Sequence, residues 1–139
     1  MKYNELKKKN AKELNDFDGI FFAFSNEQFI KGMKKLGLNE DDKDKVCSLG
    51  SGGIILKSRS KAFNDMFKRN SSAMEEALKK PDFLLSALSY ELANHEYCIT
   101  YELEDTFDAL GLTIDDILSV EGGRDILKQA KESSLQDCF

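Results

Sequence analysis

In 139 residues the sequence holds no tryptophan, one proline, one histidine and three cysteines. Each shortage excludes something. With one proline and nine glycines the chain is neither proline-rich nor of low complexity. No apolar run approaches the roughly 18 residues that argue a membrane span. The opening MKYNELKKKNAKELND has no apolar stretch, so no secretory signal is expected. Cys47, Cys98 and Cys138 stand singly without a CxxC pair, which indicates neither a disulfide framework nor a zinc knuckle. They are expected to be reduced thiols of a cytoplasmic protein, with Cys138 exposed near the end of the chain. The absence of GxSxG, and of a second histidine to complete HExxH, leaves little for nucleophilic or zinc chemistry. No catalytic residue and no cofactor is assigned.

A different absence concerns charge. From Pro81 to Gly123 there is no Lys or Arg, while ten acids fall in that stretch. Residues 1–80 carry 17 Lys and Arg against 12 Asp and Glu; residues 81–139 carry 3 against 13. The net charge of −5 therefore hides a basic first half and a strongly acidic second half. Such asymmetry bears on partners and association rates more than on fold. A simple structural alternative is that the lysine-rich helices of the first half fold against the acids.

What is present fits one domain over residues 1–139. A chain of this length can bury about 68% of its unfolded surface without a disulfide staple, and ten phenylalanines supply large apolar rings. Tyr3, Leu6, Ala11 and Leu14 among lysines suggest an amphipathic first helix. Ile20–Phe24 is a short apolar run bounded by turn residues and is expected to be a buried strand. Ser25 then reads as an N-cap with Gln28 three residues on, and Gly37 as the left-handed residue that ends the helix. Val46–Leu49 and Ile54–Leu56 around a Gly-Ser-Gly-Gly turn read as a β-hairpin. Helices follow from about Ser60, with a possible interruption at 70–72, and from Phe83 to Tyr97, the most apolar and the expected centre of the core. A helix from Glu102 or Glu104 to Leu110, capped by Gly111, and another opened by Thr113 come next. Residues 124–139 are expected to form a peripheral helix and a loose tail. The fold class is α+β: a helical layer packed on a small antiparallel or mixed sheet. The segments Lys35–Asp42 and Ala109–Asp116 share an LGL turn with two acids beyond it, an echo too short to establish duplication.

Two constellations carry chemistry. Glu91 and His95 are four residues apart and share a helix face with Leu84 and Leu88. With Glu96 they form the alternative metal or acid–base site of a small metal-dependent hydrolase or nucleotide-handling enzyme. A structural Glu–His hydrogen bond is the favoured reading of that pair. The glycine-rich turn at 50–53 lacks the strand-to-helix context of a phosphate loop. The second constellation is the acidic block, in which Glu102, Glu104, Asp105, Asp108, Asp115 and Asp116 are the candidate partner-binding residues. Carboxylates so disposed can imitate the phosphates of a duplex.

Four strings taken together, Phe24-Ser-Asn-Glu-Gln-Phe29, Ser48-Leu-Gly-Ser-Gly-Gly53, Tyr90-Glu-Leu-Ala-Asn-His-Glu-Tyr-Cys98 and Glu104-Asp-Thr-Phe-Asp-Ala-Leu-Gly-Leu112, resemble a family of small uncharacterised proteins of Firmicutes and gut bacteria, often carried by phages or conjugative elements. The resemblance implies a setting, a mobile element in a bacterial cytoplasm, and no mechanism. The expected function is thus a non-enzymatic interaction protein whose acidic surface docks on a basic protein, such as a nucleic-acid enzyme or a host defence protein. No membrane partner is expected, and the overall negative charge opposes direct nucleic-acid binding.

Overall fold

The computed structural model describes residues 1–136 and 138. In chain order its elements are α1 (Tyr3–Asn15), β1 (Ile20–Phe22), α2 (Asn26–Lys35), a 3-10 turn (Lys43–Lys45), β2 (Val46–Gly50), β3 (Gly53–Leu56), α3 (Lys57–Leu78), α4 (Pro81–Asn94), α5 (Tyr97–Thr100), α6 (Glu104–Leu110), α7 (Ile114–Ser119) and α8 (Gly123–Gln136). The class is α+β, as the pattern of apolar runs and helical stripes implies. No helix among the described residues is long and apolar enough to cross a membrane. The chain divides into two compact units, one of Met1–Ala11 with Ser71–Phe139 and one of Lys12–Asn70.

The Lys12–Asn70 unit contains the sheet, antiparallel in the order β1-β3-β2. Ile20 lies opposite Ile55, and Val46 opposite Leu56. The hairpin turn expected between β2 and β3 is present. Gly50, Ser51 and Gly52 all take positive φ there, which explains the two glycines. β1 is an edge strand, since β3 is central; it ends at Phe22, and its residues are half-buried or exposed, which corrects the expectation of a buried strand over 20–24. Phe21 turns toward α2, its ring 6.0 Å from that of Phe29, and it fills the space a Cβ on Gly32 would need. Phe22 and Phe24 remain exposed. Ser25 caps α2 by accepting from the Gln28 N–H (3.2 Å). The Gln28 side chain reaches one residue past the cap, to the Phe24 N–H (2.7 Å). At the other end Gly37, at φ 76°, completes a Schellman turn in which the Leu38 N–H donates to the Met33 carbonyl (2.9 Å).

The other unit is helical and is centred on α4, which packs on α8, α6 and α5. Leu84, Ala87, Leu88 and Leu92 of α4 form its core with Leu110, Ile117, Leu127 and Ala130. Pro81 occupies the first turn of α4, where its missing N–H costs nothing. The helix ends earlier than Tyr97 because Glu96 turns left-handed, at φ 56°. Thr113 and Asp116 form a reciprocal capping box at the start of α7. The LGL echo has a physical counterpart: the Asn39 N–H donates to Asp42 and the Thr113 N–H to Asp116, each at 2.9 Å. The helix α3 runs unbroken through 70–72. The last helix is not peripheral; it lies along α4 with Leu127, Ala130 and Ser134 buried. Asp137 and Phe139, at the end of the expected tail, lie outside the described residues.

The cysteines require the clearest correction. Cys98 and Cys138 are joined by a disulfide, with Cα atoms 5.9 Å apart, and only Cys47 remains free. Nothing in their spacing announces the pair. The return of α8 along α4 brings the end of the chain beside α5, and the separation falls within bridging range.

Candidate functional site

The most organised polar cluster gathers on α4 around Glu91, whose side chain is buried among the leucines of the core. A carboxylate at such a position is costly unless its oxygens are occupied by donors. Here they are. One oxygen accepts from the Tyr3 hydroxyl (2.7 Å) and from the Lys7 ammonium (2.8 Å). The other lies 3.1 Å from His95 Nε2. An ionised carboxylate only accepts, so the geometry places a proton on Nε2 of His95. Tyr3 and Lys7 are successive residues on one face of α1, at i,i+4. The Lys7 ammonium is also 5.2 Å from the centre of the Tyr90 ring and 5.7 Å from that of Tyr3, close enough for cation–π attraction. The Tyr3 backbone N–H donates to Ser86 Oγ (3.1 Å), which fixes the start of α1 on α4.

The acid–base state follows. Burial pushes the Glu91 carboxyl up, but the Lys7 and Tyr3 hydrogen bonds, the Lys7 charge and Asn94 outweigh it, so the group is held below its ordinary value. Burial first, then the hydrogen bond to Glu91 and its negative charge, then Tyr90, drive the Tyr3 hydroxyl well above its ordinary range. The cluster is therefore a carboxylate locked ionised and a phenol locked neutral, opposite to the near-neutral poise an acid–base catalyst needs.

The structure brings Glu91 and His95 together as the helical spacing implies. Glu96 is not part of that group: it is exposed at the left-handed turn beyond α4. Among the described residues no three His, Cys, Asp or Glu side chains assemble as metal ligands. A cleft of about 270 Å³ lined by Leu78, Leu84, Leu110, Val120, Glu75 and Asp116 lies in the same unit, and neither Glu91 nor His95 lines it. The metal-dependent enzyme reading is not favoured by this geometry. The contribution of Tyr3 and Lys7 escaped the sequence reading. Their one signal was the i,i+4 pairing of an aromatic donor and a cation on an amphipathic stripe that ends opposite no acid of its own helix.

The six candidate docking residues lie in and just before α6 and α7. Glu104 and Asp105 occupy the first turn of α6, Asp115 and Asp116 that of α7, where the helix dipole favours negative charge. Glu102 precedes α6 and Asp108 lies one turn along it. All six are exposed. Among the described residues of their unit none of the six forms an ion pair, and of the ten acids between 81 and 123 Glu91 is the one paired there with a lysine. Within this unit, among the described residues, the folding of α1 onto α4 neutralises one of these carboxylates, Glu91.

These positions sit inside a region matched by one family. Residues 2–133 match the family described as Family of unknown function (DUF7659). The chain belongs to DUF7659. The match spans both units, so the Tyr3–Lys7–Glu91–His95 cluster and the acidic helices are both within the DUF7659 region. No curated protein and no solved structure matches the chain.

Proposed function

We propose that this DUF7659 chain is a non-enzymatic interaction protein that docks through the acidic surface of α6, α7 and the segment before them onto a basic protein. One observation carries the reading: Glu102, Glu104, Asp105, Asp108, Asp115 and Asp116 are all exposed and have no cation partner among the described residues of their unit. Helix-start chemistry accounts for four of them, whereas Glu102 and Asp108 serve no cap. Unpaired surface carboxylates raise the rate of encounter with a positive patch and exclude negatively charged competitors. The mobile-element setting, and a nucleic-acid enzyme or host defence protein as partner, rest on the family resemblance and on the likeness of such carboxylates to duplex phosphates.

The test uses the amide variant Glu102→Gln, Glu104→Gln, Asp105→Asn, Asp108→Asn, which keeps shape and removes four charges. A protein captured by the unmodified chain is purified and its affinity measured against ionic strength. The expected outcome is a loss of roughly tenfold or more at low salt and a flatter salt dependence for the variant. Equal affinity with an equal salt slope would show the acids to be a solvated face. Competition of the captured partner by double-stranded DNA identifies a nucleic-acid enzyme.

A further inference from the structure

The bond between Cys98 and Cys138 plays no part in the cluster or in the docking surface. Cys98 lies on α5, a single helical turn bounded on both sides by non-glycine residues in the left-handed region, Glu96 at φ 56° and Tyr101 at φ 58°. Side chains other than glycine resist that conformation, and it persists only where surroundings impose it. Two attachments do so here. The Tyr97 ring is buried under α5 and meets that of Tyr101 at 6.1 Å, and Cys98 is tied to Cys138 just beyond α8. The buried residues of α8, Gly123, Leu127, Ala130 and Ser134, all precede the bond. Cys138 is exposed and Cys98 half-buried, within reach of small solutes.

We propose that Cys98 and Cys138 form a reversible redox clasp, exchanging with a low-molecular-weight thiol–disulfide couple, that holds α5 and its two left-handed ends when closed and releases them when open. In closing, the exposed Cys138 thiolate attacks a small disulfide, forming a mixed disulfide and expelling one small thiolate. The Cys98 thiolate then attacks the Cys138 sulfur and expels the second. Two protein thiols are oxidised, one small disulfide is reduced to two thiols, and the two protons leave with them. Opening is the reverse. An accessible bond outside the core cluster of the described residues belongs to the labile class of disulfides.

The full chain carrying Cys47→Ser, so that only the clasp cysteines remain, is equilibrated in glutathione buffers from fully reduced to fully oxidised, and free thiols are counted by alkylation. Interconversion between two thiols and none, reversible within that range, is expected. A bond that persists in millimolar reduced glutathione would make it a static staple, and two free thiols in the fully oxidised buffer would show that no bond forms; either overturns the clasp. Accumulation of a stable mixed disulfide on Cys138 would overturn it as well. Hydrogen exchange reads the mechanical part, in the reduced chain and in Cys138→Ser. Amides of 97–102 are expected to exchange roughly tenfold faster or more, while those of Leu84, Leu88 and Leu92 are unchanged. Unaltered exchange across 97–102 would show that the bond does not hold α5.

Discussion

Around Glu91 the balance between burial and pairing decides stability, because each donor supports a charge that the core would otherwise reject. Replacing Lys7 by Met keeps much of the side-chain volume and leaves the carboxylate with Tyr3 and His95. Since Lys7 is about half exposed, the loss is expected below the full cost of an orphaned buried charge, at about 1–3 kcal/mol by urea denaturation at neutral pH. The pH dependence has a definite sign. The folded chain holds Glu91 below its ordinary value of 4.5, so its contribution is whole above that pH and drains away as pH falls through the folded value. Glu91→Gln should flatten the acid limb of a stability–pH profile in that region; an unchanged limb would mean that other carboxylates carry it. The Tyr3 proton is held above its ordinary value of 10.0, so that contribution is whole below pH 10.0 and declines as pH rises past it. Tyr3→Phe should cost about 1–2 kcal/mol at neutral pH and remove the alkaline decline. Of this pairing the sequence made only the Glu91–His95 contact legible. Glu91 and His95 are linked by helical spacing alone, whereas Tyr3 lies 88 positions from Glu91, and no local rule connects them.

Helix ends were the most legible feature at the scale of elements, because their chemistry is local. Ser25, Gly37, Pro81, Gly111 and Thr113 each announce a boundary through a cap, a left-handed residue or a missing donor. Readings failed where tertiary context outweighs a local preference. Asn70, Ser71 and Ser72 weaken a helix by only tenths of a kcal/mol each, too little to interrupt α3. The apolar run Ile20–Phe24 reads as a buried strand because composition does not reveal which of its rings find a partner; Phe21 packs on α2, while Phe22 and Phe24 stay exposed. Glycines show the same division between local and tertiary causes. Gly37 needs its positive φ and has open space around it, so Gly37→Ala should cost about 1 kcal/mol. Gly123 needs space: a Cβ there would collide with the backbone carbonyl of Ile117, which no rotamer change can relieve. Gly123→Ala should cost about 3 kcal/mol by forcing α8 away from α7. Equal shifts in the urea midpoint for the two variants would contradict this account of the α7–α8 contact.

For the whole molecule, charge asymmetry was readable by counting, but its consequence depended on how few of the acids folding neutralises. Exposed acids without counter-ions repel one another and tax the folded state. The four-amide variant should therefore be more stable than the parent at low ionic strength, by up to about 1 kcal/mol, with the difference vanishing at high salt. A less stable variant at low salt would show that these acids are engaged in attractive contacts. The division of the chain has a consequence of another kind, for synthesis on the ribosome. Met1–Ala11 emerges before Lys12–Asn70 but belongs to the same unit as Ser71–Phe139, so Lys12–Asn70 can acquire its sheet while that segment waits. Tyr3 must wait for Glu91, 88 residues later, an interval of roughly 4–18 s at about 5–20 residues per second. During it the aromatic and cationic face of α1 has no acceptor, and a nascent chain is most open to chaperones and proteases there.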